Sequence, residues 1–147
     1  MEEGLDPSFS KSYHRILKKV QDDMTFAESF YKKLLAVDPK YIEMFDETDF
    51  KIQHSMIIVA LLQFYTYSIT EQSDESLKRI GYVHGRFNLN AEDFEIWKAC
   101  MMETVREYDD QFDEINEQKW ESIIDISIEY IKKGIESYKT QSALDDN

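Results

Sequence analysis

Three histidines stand in this chain of 147 residues, at positions 14, 54 and 84. His84 closes the run SDESLKRIGYVH, in which Leu77, Ile80 and His84 recur at i, i+3 and i+7. That spacing is one side of an α-helix, so His84 is predicted to face inward with Leu77 and Ile80. An inward imidazole either finds a hydrogen bond within the core, the commoner fate of a lone histidine in a helical protein, or ligates a metal. Zinc held by three or four protein ligands has no support, because no cluster of Cys or carboxylates at metal-ligand spacing surrounds His84. A metal that arrives inside its own macrocycle needs only one strong protein ligand.

The elements that must position this histidine are helices. Prolines occur only at positions 7 and 39, there are four glycines, and the β-branched residues follow helical rather than alternating patterns. A first helix is predicted over SKSYHRILKKV, with His14 on its surface. A second begins near Thr25, whose TFAE spells a capping box with Glu28, and turns Phe26, Phe30 and Leu34 to one face. Pro39 marks its end or opens a short turn-like helix, DPKYIEMF. The run TDFKIQHSMIIVALLQFYTYSI is apolar over more than one stripe and is expected to be a central, deeply buried helix. Ser73 is a plausible N-cap for the His84 helix. Asn90 can cap the next, with Phe94, Trp97, Met101, Val105 and Tyr108 inward. QFDEIN separates that helix from a last one striped by Trp120, Ile124, Ile128, Ile131, Ile135 and Tyr138. The sum is six or seven helices in one unit, a core over about 10–138 and a short frayed polar tail over 139–147.

Haem meets the single-ligand condition, and a proximal histidine is its commonest anchor in oxygen-binding proteins. In order and spacing the chain resembles the globins, specifically the single-domain bacterial haemoglobins related to the haem domain of flavohaemoglobins. The matching residues are FYKKLLAVDPKYIEMF, with Tyr31 fourteen positions before Phe45, then TDFKIQHSMI, with Gln53 eight after Phe45, then LKRIGYVH ending at His84. HGRFNLNAEDFEIW and Trp120 continue the match. The resemblance implies an all-α globin fold of six to eight helices packed around a haem pocket, with haem b as cofactor. It makes His84 the proximal ligand, one ring nitrogen on iron and the other oriented by an acceptor such as a backbone carbonyl. Phe45 becomes the aromatic that packs on the porphyrin face. Tyr31 and Gln53 become the distal pair, a phenol and an amide that stabilise negative charge on the outer atom of bound oxygen. Ile57 would narrow the distal pocket, and Leu89, Phe94 and Trp97 would line the proximal side. Each of these residues is equally compatible with an ordinary place in a helical core.

Two positions depart from the pattern. His54 stands directly after Gln53, where the family has a small residue that lets two helices approach. Shifting the register by one residue would make His54 distal and put Ser55 at the crossing with Ala27. Flavohaemoglobins also carry a tyrosine ten positions after the proximal histidine, where this chain has Phe94.

Composition limits the partners. With 17 Lys or Arg against 30 Asp or Glu, the formal charge of -13 repels phosphate and anionic lipid, so neither nucleic acid nor a membrane surface is expected to bind. The single Cys100 cannot form an internal disulfide, no apolar run reaches the roughly 20 residues that span a bilayer, and the acidic start lacks the features of a signal peptide. Cytoplasmic residence is the resulting expectation. The function expected is reversible binding of oxygen, with nitric oxide and carbon monoxide as further ligands, by a monomer or homodimer. Nitric oxide dioxygenase chemistry would need an external reductase, since 147 residues leave no room for a flavin- and nicotinamide-binding domain. A haem-based gas sensor and a helical interaction module without cofactor are the readings from other classes.

Overall fold

The computed structural model describes residues 7–70 and 74–145. Its seven helices are α1 (Pro7–Lys18), α2 (Phe26–Val37), α3 (Pro39–Met44), α4 (Phe50–Thr70), α5 (Asp74–His84), α6 (Ala91–Tyr108) and α7 (Glu114–Asp145). The boundaries follow local chemistry. Thr25 and Glu28 form the reciprocal capping box that starts α2. Asp38 ends α2 and accepts from the Lys40 N–H to start α3, with Pro39 at the first turn, where its missing N–H costs nothing. Asn90 and Asp93 form a second capping box at α6. Ser73 lies outside the described residues, so its role at the start of α5 is not part of this picture.

The core is aromatic at one end and aliphatic along α7. Phe9 of α1 sits 4.5 Å from the Trp120 ring and 5.3 Å from Tyr65, centroid to centroid. Met101, Val105 and Tyr108 of α6 and Trp120 and Ile124 of α7 are almost fully buried against α1 and α2. Polar groups inside this core are paired across helices. The Trp120 indole donates to Ser12 Oγ at 2.8 Å, and Ser12 donates to the Asp109 carboxylate at 2.6 Å. Arg15 grips the same carboxylate through Nε and through Nη2, the latter at 2.9 Å. One buried carboxylate thereby joins α1, the end of α6 and α7.

The helix that carries His84 is held unusually close to its neighbour. A Cβ on Gly81 would fall 1.9 Å from the Ile131 carbonyl oxygen, and one on Gly134 would fall 1.9 Å from that of Lys78. Glycine is required at both places because α5 and α7 meet backbone to backbone, and a methyl group has no room. This pair makes the most extensive helix contact among the described residues.

Two expectations are corrected. The central helix α4 is not buried all round: Ile57, Leu61 and Phe64 face the core, while Ile52, Met56, Val59 and Leu62 are each about half exposed. Its neighbours among the described residues, α2, α5 and α7 with the α1 rings against Tyr65, leave that outer face open. The tail also does not fray after Tyr138. Residues 139–145 continue α7, because they contain neither Pro nor Gly, and Gln141 donates to Asp145 at 3.0 Å across one turn.

Burial pushes the Asp109 carboxyl upward, but the bonds from Arg15, Ser12 and the Gln111 amide outweigh it and hold the group below the ordinary carboxylate range. A depressed folded pKa contributes stability above the unfolded value of about 3.9, which is lost as pH falls through the folded value. Asp109→Asn is therefore expected to lower unfolding free energy by about 2 to 3 kcal/mol at pH 7. In urea titrations that difference should shrink steadily from pH 5 toward pH 3. Gly134→Ala should cost about 1 to 3 kcal/mol in the same assay, although Ala is the better helix former.

Candidate functional site

The capping box at Thr25 fixes where α2 begins, and from that start Ala27, Phe30, Tyr31 and Leu34 fall inside. Tyr31 is 4% exposed, and its hydroxyl accepts a hydrogen bond of 2.8 Å from Gln53 Nε2 on α4. Its ring is enclosed by Phe45, His54 and Phe50 at centroid distances of 5.7, 5.6 and 5.8 Å. With Gln53 donating, the phenol's own proton has no acceptor among the described residues. Burial pushes the Tyr31 pKa up to about 12, and the Gln53 bond opposes part of that rise. The group is a neutral donor at any physiological pH.

The register of α4 decides between Gln53 and His54. Gln53 meets the hydroxyl end of Tyr31, whereas the half-buried His54 ring lies along the Tyr31 and Phe50 rings. Ser55 is exposed and bonds back to the Lys51 carbonyl at 3.3 Å, so it is not the residue packed at Ala27. Ile57, one turn beyond Gln53, is buried.

His84 ends α5, half-buried, with Nδ1 at 2.7 Å from the Ile80 carbonyl oxygen. A carbonyl only accepts, so Nδ1 carries the hydrogen and the lone pair resides on Nε2. Nε2 has no hydrogen-bond partner among the described residues. This is the tautomer that a metal-binding imidazole needs, with its orientation fixed by the second nitrogen.

The three residues expected near His84 separate into two groups. Leu89 and Phe94 line a cleft of about 180 Å³ with Ile135 and Lys132, whose Nζ stands 5.3 Å above the Phe94 ring. Trp97 instead packs between Phe30 and Phe64, at 5.7 and 6.1 Å, within the aromatic core. A second concavity, of about 350 Å³, is lined by Gln21, Met24, Lys33 and Tyr108 and includes none of the expected residues.

Sequence reasoning missed four contributors, Phe50, Tyr41, Lys40 and Asp93. Phe50 closes the aromatic enclosure of Tyr31. Tyr41, 3% exposed on α3, donates to Asp93 Oδ1 at 2.6 Å, and Lys40 reaches the same oxygen at 2.6 Å. Asp93 Oδ2 accepts the Asn90 N–H at 2.9 Å. Burial raises the Asp93 carboxyl, yet the Lys40, Tyr41 and Asn90 bonds together hold it below the ordinary range. Asn90 was readable as a cap, but nothing in the sequence pairs Asp93 with Tyr41.

The helices and their order define a globin fold, all-α and without strands among the described residues. A solved structure from Pseudomonas aeruginosa, described as structurally highly homologous to a human haemoglobin, superposes with a TM-score of 0.78. The two chains are 23% identical, over 88% of this chain and 96% of that one. At that identity the likeness is one of fold. No family model and no curated protein matches the chain. No helix of the described residues is long and apolar enough to cross a membrane.

The enclosure of Tyr31 can be tested directly. In a 13C-tyrosine NMR titration, the resonance that disappears in Tyr31→Phe should ionise near pH 12. Gln53→Leu should move that midpoint higher, since a donor to the phenolate oxygen is lost. Ionisation near the ordinary phenol value of about 10 would mean an open site.

Proposed function

We propose that the chain is a haem protein that reversibly binds oxygen and related diatomic gases. The observation that carries this reading is the His84 imidazole, whose Nδ1 is committed to the Ile80 carbonyl while Nε2 is left with its lone pair. The donor set fits the group. His84 supplies one neutral nitrogen, Tyr31 and Gln53 supply neutral hydrogen-bond donors, and Phe45 supplies an aromatic wall beside Tyr31. When bound, haem would supply an iron able to take a diatomic ligand.

The chain's own residues would then divide the work. His84 holds the group through Nε2, and the Ile80 carbonyl keeps that ring oriented and electron-rich. Tyr31 would offer its spare proton to a diatomic ligand that carries partial negative charge, and Gln53 holds the phenol in place. Phe45, Phe50 and Ile57 exclude water from that bond, which strengthens it. The resemblance to the globins implies haem b, and one cysteine could not supply the two thioether links of a c-type attachment. The adjoining Tyr31 and Gln53 favour the single-domain bacterial type of globin over a cofactor-free helical module.

His84→Ala tests the assignment. Haem retention should be lost or weakened, and added imidazole should restore a ligated spectrum. A variant with the unaltered ligation spectrum would refute it. In the loaded protein, Tyr31→Phe should speed oxygen release by roughly 2- to 13-fold, the equivalent of about 0.5 to 1.5 kcal/mol for one neutral hydrogen bond. Carbon monoxide, which gains less negative charge, should respond less, and equal effects on the two gases would indicate a steric cause.

A further inference from the structure

The loop after His84 and the wall that carries Phe45 are tied together through one carboxylate. Tyr41 lies one turn before Phe45, whose N–H donates to the Tyr41 carbonyl at 3.1 Å. The Tyr41 hydroxyl and Lys40 both bond Asp93 Oδ1, and Asp93 Oδ2 receives the Asn90 N–H. Asn90 in turn accepts the Asp93 N–H at 3.0 Å and terminates the segment 85–89 that leaves His84. The two oxygens of Asp93 are thus divided, one to α3 and one to the cap of α6. The residue is 5% exposed, so water cannot readily replace either partner.

We propose that Asp93 and Tyr41 are positioning residues that set the His84 side of the site relative to the Phe45 and Tyr31 side. The proposal rests on the haem reading for its effect on ligand binding, while the mechanical coupling stands on the geometry alone. Two features make the coupling specific. Tyr41 is buried and its hydroxyl has one acceptor, so its removal leaves Asp93 Oδ1 to the more exposed Lys40 alone without touching the chain near His84. The Asn90 amide belongs to the residue that ends the His84 loop, so a change at Asp93 reaches that loop through one hydrogen bond.

Tyr41→Phe keeps the ring and deletes only the donor. Hydrogen exchange in the haem-free chain should then speed up roughly tenfold or more in residues 39–44, and also in residues 85–93, which the Tyr41 hydroxyl reaches through its bond to Asp93. Asp93→Asn offers one acceptor oxygen in place of two. It should loosen the same two segments together, which keeps the test open should either variant fold poorly. In the haem-loaded protein, both changes should shift the iron–histidine stretching band in the resonance Raman spectrum. Faster exchange confined to residues 39–44 would overturn the coupling. Coupled exchange with an unshifted iron–histidine band would overturn the positioning role while leaving the haem reading intact. A chain that takes up no haem would overturn both the reading and the role built on it.

Discussion

The contact on which the arrangement depends is the meeting of α5 and α7 at Gly81 and Gly134. Each glycine faces the other helix's backbone at a separation that admits no Cβ, so the two helices are locked in both distance and register. Close-packed backbones of this kind slide poorly, because any shift drives a carbonyl into a neighbouring chain. His84 lies three residues beyond Gly81. The direction of its ring is therefore inherited from α7, the longest helix, with the Ile80 carbonyl making the final adjustment.

Two buried carboxylates perform parallel tasks at opposite ends of α6. Asp109 collects Ser12, Arg15 and, through Ser12, Trp120, and thereby fixes α1 over α6 and α7. Asp93 collects Tyr41, Lys40 and the Asn90 amide, and fixes α3 over the start of the same helix. In a chain whose net charge is -13, most carboxylates are solvated and repel one another. These two are the exception because each finds a cation and neutral donors at once. Between them, α6 carries the aromatic core that includes Trp97, so the enclosure around Tyr31 rests on a helix pinned at both ends.

Much of this was legible in the sequence. The Thr25–Glu28 capping box announces α2, Asn90 as a cap announces α6, Pro39 announces α3, and the spacing of Leu77, Ile80 and His84 places the histidine inward. Those signals are local and need no partner to be read. Pairing signals are of another kind. The sequence placed Gln53 and Tyr31 together only through resemblance to the globins, and their 2.8 Å bond is a property of how α2 crosses α4. Tyr41 and Asp93 are 52 positions apart, and one tyrosine among nine offers no clue to its acceptor. The half-exposed face of α4 was misread for a related reason. Apolar residues around a whole helix mark it for burial, yet neighbours on one side can bury only one side. Trp97 follows the same lesson, since its helical face was legible and the neighbours it meets on that face were not.

The proposed anchoring of haem by His84 carries the functional reading of this globin fold. Its most direct test is a titration of the purified chain with haem, followed by visible absorption under reducing conditions with and without oxygen. Saturation is expected at one haem per chain, with a spectrum of histidine-ligated iron that changes reversibly as oxygen is admitted and removed. A chain that leaves added haem with the spectrum of the free group, or binds it with no response to oxygen, would contradict it.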